Sequence, residues 1–108
     1  MLSPRGRGKN PPVQISEFQK LIEAIYFERD SARGRDGTFV WFVEEVGELA
    51  KALARPAPDG GKNLHEEFAD VLAWLSTLAS IAGVDLESAA EEKYRKGCPK
   101  CHSTPCAC

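Results

Sequence analysis

The first 97 residues of this 108-residue chain contain no cysteine; all four cysteines fall in the last eleven. A disulfide framework spreads its cysteines through the domain it staples, so none is expected here. No apolar run approaches the roughly 18 residues that cross a bilayer. The N-terminal stretch from Met1 to Pro12 carries Arg5, Arg7 and Lys9 but lacks the apolar core of a secretory signal. A basic excess is missing as well: the net charge is −2, which argues against a general nucleic-acid binder. No segment alternates with period two, so no strand is expected. These absences leave a cytoplasmic protein with neither a membrane nor a nucleic acid as its partner.

The chain does have the length of one domain and ordinary globular proportions, 43% hydrophobic and 28% charged. Residues 1–14 read as a flexible basic arm. A first helix is expected over Ser16–Arg29, with Ser16 and Gln19 at capping-box spacing. Phe18, Leu21, Ile22, Ile25 and Tyr26 form one helical stripe along it. Gly34 to Gly37 reads as a polar turn. A second helix, Thr38–Arg55, is stopped by Pro56 and Pro58. Asn63, with Glu66 three residues on, caps a third helix that ends near Ala82 with Gly83 as its left-handed terminator. Asp85 caps a fourth, short helix to Lys96. The expectation is an all-α domain of four helices whose thin core is completed by homodimerisation.

Assigning about 100° per residue gathers Phe39, Phe42, Val43, Val46, Leu49, Ala50 and Leu53 into the apolar stripe of the second helix. Leu64, Phe68, Val71, Leu72, Leu75, Leu78 and Ala79 do the same for the third. Glu45 and Glu48 lie on the rim of the first stripe, with Trp41 one turn before Glu45. Glu67 and Asp70 occupy the matching rim of the other, with Trp74 one turn after Asp70. A short connection favours antiparallel packing, which brings the four acids together. Four converging carboxylates repel unless a cation lies among them. Hard oxygen donors select Mg²⁺, Mn²⁺ or Ca²⁺, and Mg²⁺ is commonly completed by substrate phosphates. Glu44 and Glu66 turn further outward. A bland reading of each pair as a solvated face is weaker for two pairs at matching positions.

The segment Thr38–Leu53, containing Glu44-Glu45-Val46-Gly47-Glu48, followed by Glu67-Phe68-Ala69-Asp70, resembles the EExxE…ExxD signature of MazG-like nucleoside triphosphate pyrophosphohydrolases. The resemblance covers about residues 15–96. It implies an all-α, oligomeric, Mg²⁺-dependent enzyme; the hard donors also admit Mn²⁺, and a homodimer or tetramer is expected. Such an enzyme converts an NTP or dNTP to the monophosphate and pyrophosphate, in some members as house-cleaning of the nucleotide pool. It further implies Glu45, Glu48, Glu67 and Asp70 as metal ligands, and Glu44 or Glu45 as the group that orients the attacking water. Trp41 is a candidate to stack on a base and Lys93 a candidate phosphate contact. Their alternatives are a core aromatic and a surface lysine near a helix C-terminus.

Residues 97–108 form a separate cysteine-rich tail. Cys98-Pro99-Lys100-Cys101 resembles a zinc knuckle, and Cys106-Ala107-Cys108 supplies a second, closer pair. Together they make a possible Cys₄ site for structural Zn²⁺. Free thiols or local disulfides are the other readings, and a non-catalytic partner-binding module with a zinc tail is the alternative for the whole chain.

Overall fold

The computed structural model describes residues 12–55, 58–59 and 61–108. The expected arm up to residue 11, and Pro56, Ala57 and Gly60 of the loop, lie outside the described residues. The chain is all-α, with no strand among the described residues. It has α1 (Ile15–Ala54), α2 (Lys62–Ala82) and α3 (Leu86–Tyr94).

Three helices therefore stand where four were expected. The two expected at the N-terminal end run into each other, because the residues from Asp30 to Arg33 stay helical. The interruption is one residue, Gly34, at φ 89° and ψ 172°. A straight helix of 40 residues would extend about 60 Å at 1.5 Å per residue. The described residues extend 41 Å along their longest principal axis, and α1 bends at this glycine. Gly37, expected in the same turn, is helical. A Cβ there would come within 2.9 Å of the Arg33 Cγ, so its bareness gives the Arg33 side chain room to pass.

Capping differs from expectation at two helix starts. α1 begins one residue before Ser16, and the box closes between Gln14 and Glu17, whose Oε1 accepts from the Gln14 N–H at 2.8 Å. Gln19 is thereby released for another task. It is buried, accepts from the Leu86 N–H at 2.9 Å, and donates to the Val84 carbonyl and the Ser80 hydroxyl at 2.8 and 3.1 Å. One amide thus ties the start of α1 to the α2–α3 corner. Asn63 is not the cap of α2, which starts after Gly61. The Asp59 carboxylate accepts from the Gly61 and Asn63 amides at 3.1 and 3.0 Å instead. Gly83 does terminate α2 in the left-handed conformation at φ 76°, and the Asp85 side chain caps α3. α3 ends at Tyr94, short of Lys96.

The apolar stripes are only half used. Ile22, Ala52 and Ala79 are the fully buried apolar residues among those described, while Phe39, Val43, Val46, Phe68, Leu72 and Leu75 stay exposed. The tightest part of the interior is polar: Asp30, Thr38, Ser76 and Thr77 are all buried. Among the described residues no single helix is long and apolar enough to cross a membrane; α2 and α3 meet that composition only as a pair bent by 95°.

Candidate metal and nucleotide site

Two segments build the site, the half of α1 after the kink and the first half of α2. Glu45 faces Glu67 and Asp70, and one carboxylate oxygen from each lies within 4.8 Å of the others. Trp41, one turn before Glu45, stacks on Trp74, one turn after Asp70, with ring centroids 6.2 Å apart and planes inclined by 15°. The partner number rises along α2 as the residue number falls along α1, so the two segments run antiparallel, as helical rotation and the short loop require.

Burial and like charge both act on these acids. Glu45 and Glu67 are half-buried and Asp70 is exposed. The Glu45 carboxyl is pushed above the ordinary glutamate value, first by burial and then by the charges of Asp70, Glu67, Glu48 and Glu44. The Glu67 Oε1 is buried and has no hydrogen-bond partner. A buried carboxylate oxygen without a donor is costly. A divalent cation among these three side chains meets that need with the hard donors it prefers, so the residues present fit the ion the sequence suggested.

The remaining expected site residues are placed less centrally. Glu48 is outside this three-acid cluster; its carboxylate is exposed and lies 3.8 Å from the Lys51 ammonium. Glu44 is exposed, one residue from Glu45. Lys93 sits over the Tyr94 ring at 5.8 Å. It lines a hollow with Arg95, Lys96, Pro99 and His102, on the tail side of α3. It does not line the cavity that contains Asp70.

That cavity, of about 190 Å³, is the part sequence reasoning missed. Tyr26, Arg29, Asp30 and Arg33 of α1 and Asp70, Trp74 and Thr77 of α2 form its wall. Asp30 organises it. One carboxylate oxygen accepts from Arg33 Nη1 at 2.9 Å and the other from the Thr77 hydroxyl at 3.0 Å. Arg33 also reaches the Thr38 hydroxyl at 3.4 Å and lies 5.1 Å over the Trp74 ring. A signal for this existed. Asp30 continues the Ile22–Tyr26 row at i+4, so an acid interrupts an apolar stripe three residues before an arginine.

In the tail, Cys98, Cys101, Cys106 and Cys108 bring their sulfurs within 4.8 Å of one another, a second set able to hold a metal.

Comparison with curated proteins gives no match. A family model described as the MazG nucleotide pyrophosphohydrolase domain matches residues 34–102. That match begins at the kink and takes in the acid-bearing half of α1, all of α2 and α3, and the start of the tail. It spans well over half of the chain and both acidic segments, and it agrees with the resemblance read from their spacing. The chain belongs to the MazG nucleotide pyrophosphohydrolase family.

Proposed function

We propose that this protein is a Mg²⁺-dependent nucleoside triphosphate pyrophosphohydrolase, releasing pyrophosphate and a monophosphate from an NTP or dNTP. The observation that carries the reading is the convergence of Glu45, Glu67 and Asp70 around a buried, partnerless Glu67 oxygen, within a chain of this family.

In this reading Glu45, Glu67 and Asp70 would hold the cation, Mg²⁺ or Mn²⁺, and Glu48, now beside Lys51, would be a further ligand. A divalent cation bound here supplies charge neutralisation along the triphosphate. The reaction is addition of water to the α-phosphorus with cleavage of the bond to the β-phosphate bridge. Glu44, exposed beside Glu45, accepts the proton of the attacking water. Arg29, exposed on the wall of the cavity that Asp70 also lines, is a cation available to a phosphate oxygen. Trp41, exposed although stacked on Trp74, is the aromatic side chain proposed to meet the base. The open apolar face of α1 and α2 supports a homodimer, and we extend the proposal to house-cleaning of the nucleotide pool in the cytoplasm.

The test is release of pyrophosphate from a panel of canonical and damaged NTPs and dNTPs, with Mg²⁺ and with EDTA. At least one nucleotide is expected to be cleaved, and only with the cation present. Glu67→Gln is expected to lower kcat roughly 100-fold or more, in line with several kcal/mol of lost charge stabilisation. No release from any nucleotide would sink the proposal and favour a non-catalytic partner-binding module.

A further inference from the structure

The function just proposed makes no use of the last twelve residues, yet these fold into a turn held by backbone hydrogen bonds. Beyond Tyr94 the chain turns at Gly97, whose N–H donates to the Tyr94 carbonyl at 3.0 Å. Cys98 and the His102–Ser103 segment then pair as a tight knuckle. The His102 N–H donates to the Cys98 carbonyl at 2.7 Å and the Cys98 N–H to the Ser103 carbonyl at 3.0 Å. Gly97 is at φ 96°, and a Cβ there would meet the Ser103 carbonyl oxygen at 2.8 Å. The neck of the knuckle is therefore closed too tightly for any other residue.

This turn gathers the four sulfurs within 4.8 Å of one another. Cys98 lies 3.8 Å from Cys108 and 3.6 Å from Cys106, and Cys106 lies 4.0 Å from Cys101, measured between sulfurs. Four sulfurs at about 2.3 Å from one zinc ion are about 3.8 Å apart along the edges of their tetrahedron. A pair of disulfides would instead draw the sulfurs together two by two, to about 2.05 Å. Here no sulfur has one close partner, and each is near the tetrahedral edge length from another.

The backbone is aimed at the same cluster. The Ala107 N–H donates to the Cys101 sulfur and the Cys108 N–H to the Cys106 sulfur, each at 3.3 Å. Backbone N–H groups aimed at sulfur suit thiolate ligands, the form that holds a soft or borderline cation.

We propose that Cys98, Cys101, Cys106 and Cys108 form a closed tetrahedral site for one Zn²⁺, and that this ion is the core on which residues 97–108 fold. Four protein ligands leave no open position, so the ion is structural. The site is independent of the acidic cluster, and its failure leaves the proposed hydrolase untouched.

The experiment is elemental analysis of the full-length protein purified without chelator, with amide NMR spectra before and after zinc is extracted. About one zinc per chain is expected. Extraction should collapse the amide signals of the tail towards random-coil positions while those of α1 and α2 persist. Cys101→Ser should lose most of the zinc with unchanged helical circular dichroism. Zinc at trace level, iron in its place, or a tail whose signals do not respond to extraction would overturn the proposal, as would full zinc retention in Cys101→Ser.

Discussion

Asp30 shows how one side chain can hold several others in place. It is buried at 4% exposure, accepts from Arg33 and Thr77 at once, and so joins the two halves of the bundle through charge. Removing one partner of a buried ion pair strands the other and typically costs 3–5 kcal/mol. Arg33 keeps 23% of its side chain exposed, which places Asp30→Ala at the low end, about 3 kcal/mol. Urea denaturation measures this directly; a loss below about 1 kcal/mol would mean that Arg33 finds water or Trp74 without cost. Asp30→Asn retains an acceptor for Thr77 and is expected to fall between the wild type and Asp30→Ala.

Gly34 has a comparable influence on α1, through backbone conformation. Its φ of 89° with ψ of 172° is a combination that only glycine adopts freely, and a Cβ there would meet nothing within 4 Å. Space is thus available and conformation is the sole obstacle. Gly34→Ala is expected to destabilise by roughly 1–3 kcal/mol, read as a lowered denaturant midpoint with an unchanged slope. An unchanged midpoint would show that the bend tolerates an ordinary residue. The two ends of α1 differ in how legible they were. Helical rotation placed Glu45 against Glu67 and Asp70, and set Trp41 and Trp74 each one turn from those acids, because those relations need only a period and a short antiparallel loop. The Asp30–Thr77 bond joins residues 47 apart and Gln19 reaches Leu86 across 67, which no local period encodes. Gly34 to Gly37 read as a turn because two glycines flank two charges. Only tertiary folding shows that one glycine breaks the helix and the other continues it. Glu48 was placed by the same rotation as Glu45, but Lys51 three residues on offers it a competing partner at the surface.

Taken as one body, the chain leaves much of its own intended core uncovered. Phe39, Val43 and Val46 on α1 and Phe68, Leu72 and Leu75 on α2 belong to the stripes that patterning marks as interior, yet all are exposed. Burying one such side chain contributes about 1.5–3 kcal/mol, so a second copy covering this face would add several such contributions. Light scattering on the eluting protein is expected to give a mass at least twice that of the chain, and Leu72→Glu to shift it to the monomer with loss of thermal stability. A wild-type protein that elutes as a monomer at micromolar concentration would refute this. The same body has an optical property set by its aromatic pair. The chain has two tryptophans, and they are stacked on each other at 6.2 Å, with a guanidinium over one of them and the acids a turn away. All of its indole fluorescence therefore originates beside the place where cation and nucleotide would sit. Quenching or a shift in emission reports occupancy of that place without any attached label.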